Sequence, residues 1–201
     1  MNIFFDLDGT LIDSRKRLYL LFQHLVPKSN LSFDEYWKIK RNKVSHKEIL
    51  TGSFNYTVEQ YKTFEIQWMK EIELDKWLDF DNPFQGMTQY LTGLGRKHKI
   101  YVVTARQSED VAIKQLIGYG WNGIFERIFV TCQKHEKFDL INNAVNVSKE
   151  DWFVGDTGKD IQTGKLLGIN TAAVLSGFLS KEQLLGYDPD IIVENALEIN
   201  F

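Results

Sequence analysis

The sequence predicts an α/β fold, three layers deep, with a mostly parallel sheet and a helical block inserted early in the chain. Three observations carry this. From Pro83 onward, short apolar runs alternate with helical stretches, the pattern of strands joined by right-handed crossovers. One further apolar run, Ile3-Phe4-Phe5, stands alone at the start, and the chain between shows helical spacing only. The 201 residues are 43% hydrophobic and 25% charged, enough apolar material for one core with a modest insertion and too much for disorder. The core is expected to be Rossmann-like and assembled from residues 1–13 and 82–201, with residues 14–81 as a helical cap.

Each element has its own signal. Ile3 to Phe5 runs into Asp6-Leu7-Asp8-Gly9-Thr10, an apolar run bounded by glycine, hence a buried strand feeding a turn. Leu18, Leu21, Phe22 and Leu25 recur at helical spacing, as do Tyr61, Phe64, Trp68 and Ile72, and the stretch from Trp37 to Leu50 is read as helical too. After Pro83 come a helix over Met87 to Lys97 and a strand over Ile100 to Val103 that ends at Thr104. Helices are predicted over Glu109 to Leu116, Phe138 to Ala144 and Asp160 to Leu167. Strands are predicted at Ile128 to Val130, Trp152 to Val154, Thr171 to Leu175 and Ile191 to Val193. In such a sheet, ligands bind at the carboxyl ends of the strands, and a helical block leaving after the first strand lies over that end.

Composition excludes several classes. Twenty-four Lys and Arg against twenty-seven Asp and Glu leave a net charge of -3, which argues against a nucleic-acid protein held by bulk positive charge. The single Cys132 excludes an internal disulfide framework and a cysteine-based zinc finger, and fits a reducing cytoplasm. The N-terminus turns acidic at Asp6 without the basic stretch of a secretory signal, and the most apolar run, Leu18 to Phe22, is too short to span a bilayer. A soluble cytoplasmic protein without nucleic-acid or membrane partners is expected, as a monomer or weak homodimer.

The chemistry-bearing residues fall at the predicted strand ends. Asp6 and Asp8 follow the first strand, Thr104 closes another, and Gly155-Asp156 follow Phe153-Val154, with Asp160 one helical turn further on. Four carboxylates at one sheet edge repel one another and call for a cation. With only oxygen ligands on offer, magnesium is the natural ion, and a phosphorylated substrate adds further oxygens.

These residues carry a resemblance. Phe4-Phe5-Asp6-Leu7-Asp8-Gly9-Thr10-Leu11 resembles the first motif of the haloacid dehalogenase-like superfamily of phosphohydrolases. Val102-Val103-Thr104 resembles the second, and Val154-Gly155-Asp156-Thr157-Gly158-Lys159-Asp160 the fourth, in the style of the phosphoglycolate phosphatases. The third motif is a lone lysine opening a helix, assigned to Lys137 with Lys134 as the rival. The motifs come in the family's order and the helical block matches its small helical cap, so the resemblance covers the whole chain.

The resemblance implies roles. Asp6 is the nucleophile that forms an aspartyl-phosphate. Asp8 protonates the leaving oxygen and then deprotonates the hydrolytic water, which requires a carboxyl whose pKa is raised relative to Asp6. Thr104 and Lys137 hold the phosphoryl oxygens. Asp6, the carbonyl of Asp8, and Asp156 bind magnesium, with Asp160 in support. The function implied is that of a magnesium-dependent phosphatase acting on a small phosphorylated metabolite. The alternatives are a phosphosugar mutase of the same superfamily or, from another class, a phosphate-accepting switch or a silent binding protein. Asp8 argues against a switch, because it would speed the loss of the phosphoryl group.

Other residues have plainer readings. Arg106 either reaches the phosphate or makes a surface ion pair. The aromatic stripe Tyr61, Phe64 and Trp68 reads as cap core, the four histidines lack metal-ligand spacing, and Cys132 reads as a small buried apolar residue. The cap is uneven in charge, basic from Arg15 to Lys47 and acidic from Glu59 to Asp81. That pattern reads first as two solvated faces that attract each other, and second as cations, Arg41 among them, reaching an anionic substrate.

Overall fold

The computed structural model describes all 201 residues. The chain opens with β1 (Asn2–Phe5), whose three last side chains are fully buried. A two-residue strand, β2 (Ile12–Asp13), pairs antiparallel with β3 (Asn82–Pro83), so the chain leaves and re-enters the sheet region side by side. Between them lie α1 (Arg15–Leu25), α2 (Phe33–Arg41), α3 (His46–Ser53), α4 (Val58–Glu71) and α5 (Asp75–Leu78). Helices and strands then alternate: α6 (Met87–Gly95), β4 (Lys99–Thr104), α7 (Glu109–Gly118), β5 (Arg127–Val130), α8 (Lys137–Asn142) and β6 (Trp152–Gly155). The alternation continues through α9 (Gly158–Leu167), β7 (Asn170–Val174), α10 (Lys181–Leu185) and β8 (Ile191–Val193), and a 3-10 turn at Ala196–Glu198 closes it.

Six strands form one parallel sheet in the order β5-β4-β1-β6-β7-β8. Successive side chains serve opposite faces, as the two-residue period of a strand demands. Ile3, Phe5, Val102 and Val154 join Met87 and Leu91 of α6 in one cluster, while Phe4, Tyr101, Val103 and Phe153 join Ile141 of α8 in another. Burial on both faces explains why these strands read as continuous apolar runs. Each fully buried Phe or Ile contributes roughly 1.5–3 kcal/mol. The strand order reverses at β1, with β4 on one side and β6 on the other, which opens a crevice at their carboxyl ends.

Four of the five inserted helices, α1 to α4, share a core of their own, in which Leu18, Phe22, Tyr36, Trp37, Ile49, Leu50 and Phe64 pack together and Tyr61 and Trp68 lie against them. The stretch read as one helix from Trp37 to Leu50 is two. Lys43 adopts a left-handed conformation (φ 65°), and Ser45 starts a new helix by accepting from the Glu48 amide while the Glu48 carboxylate accepts from the Ser45 amide. The same reciprocal cap starts α2 at Ser32 and Glu35, and α4 at Thr57 and Gln60. Cys132 also departs from its reading. It is half-buried and, with Gln133, forms a left-handed pair in the loop after β5 (φ 50° and 55°). No helix is long and apolar enough to cross a membrane.

Candidate active site

Two adjacent strands deliver the acidic residues, β1 leading to Asp6 and β6 to Asp156, and β4 on the other side of β1 ends at Thr104. Phe5 pairs with Val102 on one side and Val154 on the other, so Asp6 lies beside the ends of β4 and β6. Asp6, Asp156 and Asp160 are buried, and one carboxylate oxygen from each lies within 4.8 Å of the others. Lys137, at the start of α8, places Nζ 2.5 Å from Asp6 Oδ1 and 2.6 Å from Asp160 Oδ1. Lys134 is exposed and contributes nothing to this cluster. Asp160 does two jobs at once: its Oδ2 accepts from the Thr157 amide at 3.0 Å and the Thr157 hydroxyl at 2.6 Å, capping α9, while Oδ1 meets Lys137.

Asp156 is held differently. Its Oδ2 accepts from the Phe178 amide at 2.6 Å, so the loop after β7 closes over it. Two glycines make that approach possible. A Cβ on Gly177 would fall 2.0 Å from Asp156 Oδ2, and one on Gly9, already left-handed at φ 86°, would fall 2.5 Å from the same oxygen.

Three carboxylates against one ammonium leave the cluster electron-rich. Burial pushes Asp6 up to about 7, with Asp160 adding to the rise and Lys137 opposing it. Burial, then Asp6 and Asp160, raises Asp156 well above the ordinary carboxylate range. Burial works against the Lys137 charge, but Asp160 and Asp6 outweigh it and hold its pKa up. An oxygen-only donor set with this excess of negative charge fits a hard divalent cation.

Asp8 lies outside that cluster. Burial raises its pKa, but the guanidiniums of Arg106 and Arg17 more than compensate and hold it at about 2. This reverses the order expected for Asp6 and Asp8, because the sequence gives no hint that two arginines converge on Asp8. Arg106 donates from Nε to Asp8 Oδ2 at 2.6 Å and from Nη2 to Oδ1 at 2.8 Å; Arg17 donates from Nη2 to Oδ1 at 2.5 Å. Both arginines also reach Asp81, at 2.9 Å from Arg17 Nε and 3.2 Å from Arg106 Nη2, which closes a ring of alternating charge. Arg17 and Asp81 escaped the sequence reading. Arg17 sits in the run Arg15-Lys16-Arg17, where nothing distinguishes it from its neighbours.

A pocket of about 290 Å³ opens onto these groups. Thr104, Arg106 and Lys137 line it with Asp6, Asp8 and Asp156, and Leu18, Met69 and Ile72 face them from the inserted helices. Arg41 is elsewhere. Its Nη1 donates to the carbonyls of Leu175 at 3.1 Å and Gly177 at 3.5 Å, so its charge is spent tying α2 to the loop that holds Asp156. Glu73 makes a second tie by accepting from the amides of Gln107 at 2.6 Å and Ser108 at 3.1 Å.

A parallel-sheet core with an acidic centre at its strand ends and a helical insertion facing that centre defines a class of hydrolase. The chain belongs to the haloacid dehalogenase-like hydrolase family, whose profile matches residues 3–174. It is 26% identical over 209 residues to the pyrophosphatase PpaX of Halalkalibacterium halodurans, covering 96% of this chain and 92% of that one. It is 24% identical to the phosphoglycolate phosphatase of Aquifex aeolicus, covering 88% and 85%. A haloacid dehalogenase-like family protein from Streptococcus pneumoniae shares the fold, with a TM-score of 0.75 at 24% identity over 98% of this chain and 95% of that one. The chain is an enzyme, a hydrolase of this family.

Proposed function

We propose that the protein is a phosphatase that hydrolyses a small phosphorylated metabolite through an aspartyl-phosphate on Asp6, with Mg2+ as cofactor and residues 14–81 as a cap. The observation that carries the reading is the buried Asp6, Asp156 and Asp160 cluster, with Lys137 bridging Asp6 and Asp160. Asp6, Asp156, the carbonyl of Asp8, and Asp160 in support would hold the ion, which when bound neutralises charge on the phosphoryl oxygens.

An Asp6 oxygen attacks phosphorus, and the ester oxygen departs with a proton from Asp8. Water then attacks the same phosphorus and gives a proton to Asp8, which releases inorganic phosphate and restores the Asp6 carboxylate. Lys137 and Thr104 steady the phosphoryl oxygens, so most of the work is positioning and charge neutralisation. The paired arginines favour the base form of Asp8, which suits the second step. Protonating the leaving group requires Arg17 or Arg106 to release that carboxylate first.

The facing helices leave a pocket suited to a small molecule rather than a protein chain. A reducing cytoplasm is the proposed setting, supported by the unpaired Cys132. The test is turnover of p-nitrophenyl phosphate with Mg2+, followed by trapping of phosphate on Asp6 by rapid acid quench and mass mapping. Phosphate recovered on a different residue sinks the assignment.

A further inference from the structure

A second cavity adjoins the catalytic pocket. It is a groove of about 260 Å³ between the inserted helices and the core, and it shares Thr157, Lys159 and Phe178 with the pocket above Asp6. Its charged lining is of one sign: Lys40 and Lys43 from one wall, Lys159 from the other, and no carboxylate anywhere in it. None of the three ammonium groups has an acidic partner within 4.0 Å. The basic and acidic halves of the insertion therefore do not neutralise each other here.

Lys40 is half-buried, and its Nζ donates only to the Val44 carbonyl at 3.0 Å. Burial lowers its pKa to about 8, and the Glu48 carboxylate, beyond 4.0 Å, opposes that fall only in part. Lys43 is held by a left-handed backbone (φ 65°) that non-glycine residues seldom adopt, and its Nζ donates to the Tyr187 hydroxyl at 2.6 Å. The Tyr187 ring is itself seated flush on the first turn of α9, where a Cβ on Gly158 would fall 2.1 Å from it. The groove thus gathers three ammonium groups, Lys40 half-buried and Lys43 and Lys159 exposed, none of them in a salt bridge.

We propose that this groove receives a second phosphoryl group, carried on the leaving group of the substrate, and that the preferred substrates are small bisphosphorylated metabolites. The proposal rests on the phosphatase reading above. One molecule reaches both places because Lys159 and Phe178 line both cavities. Three point-charge ammonium groups suit the three terminal oxygens of a phosphate better than the two of a carboxylate.

The test uses α,ω-alkanediol bisphosphates of increasing length against the alkyl monophosphates of matching length, measuring initial phosphate release with Mg2+ present. Bisphosphates are expected to win in kcat/KM by about tenfold or more at the best length. In Lys40→Met and in Lys43→Ala that selectivity ratio is expected to fall by about tenfold through KM, and Lys43→Arg to retain it. A ratio near one in the native enzyme, or an unchanged ratio in both variants, overturns the groove assignment while monoester turnover leaves the phosphatase reading standing. If no phosphate ester is turned over, p-nitrophenyl phosphate included, the phosphatase reading fails and takes this one with it.

Discussion

Arg106 grips Asp8 through two nitrogens, Nε on Oδ2 at 2.6 Å and Nη2 on Oδ1 at 2.8 Å, while Arg17 shares Oδ1 from the first inserted helix. Asp81, whose side chain is fully buried, completes the ring from the chain segment that leads back to the core. Four charges from four stretches of chain therefore balance at the junction between insertion and sheet. Removing one partner strands a buried charge. Arg17→Met should lower unfolding free energy by about 3–5 kcal/mol in urea titrations. In a double-mutant cycle with Asp81→Asn the two changes should couple by more than about 0.5 kcal/mol. Simple additivity would show that the ring does not act as a unit.

Asp6→Asn keeps the shape of the proposed nucleophile and removes its charge. Turnover of p-nitrophenyl phosphate with Mg2+ should fall by on the order of a thousandfold or more, since no neighbouring group takes over the attack. Activity within a few-fold of the native rate would move the nucleophile elsewhere.

The two lysines that competed for one role should separate cleanly. Lys137→Ala removes the only ammonium bound to Asp6 and Asp160 and should cost about a hundredfold or more in kcat. Lys134→Ala should stay within about twofold, because that side chain lies outside the cluster. Equal losses in both would contradict the geometry.

Stability of the metal-free protein should depend on pH in an unusual direction. Asp6, raised to about 7, and Asp156, raised well above 3.8, bind protons in the folded state that the unfolded chain has already lost between about pH 4 and 7. Their contribution therefore falls as pH rises through that window. Asp81, raised to about 6, acts in the same sense. Asp8, held at about 2, acts in the opposite sense only below its unfolded value of 3.8, and half-buried His46, lowered to about 3, offsets part of the trend below its unfolded value of 6.5. Thermal melts in chelator should show a higher Tm at pH 5.5 than at pH 8, with each 1 kcal/mol giving about 2–4 °C. Saturating Mg2+ should raise Tm at pH 8 and shrink the gap. A flat profile in chelator would remove the case for a strained acidic cluster.

Much of the fold was open to reading because both sheet faces are buried, which turns Ile3 to Phe5, Ile100 to Val103 and Trp152 to Val154 into plain apolar runs. The paired strands β2 and β3 were not, since two residues carry no periodicity. The break between α2 and α3 was legible and missed: Ser45-His46-Lys47-Glu48 spells a reciprocal cap, as do Ser32 to Glu35 and Thr57 to Gln60.

The carboxylates that meet at the strand ends were determined by local order alone: an apolar strand followed at once by Asp6, or by Gly155-Asp156, puts the acid at the sheet edge whatever surrounds it. What those acids become was decided in three dimensions. Arg17 and Arg106 reach Asp8 from positions 9 and 98 residues away, the Phe178 amide reaches Asp156 from 22 away, and Arg41 turns to backbone carbonyls. Charge acts through space and burial, and neither follows chain distance, so only the folded arrangement settles which acid keeps its proton and which cation is left without a partner.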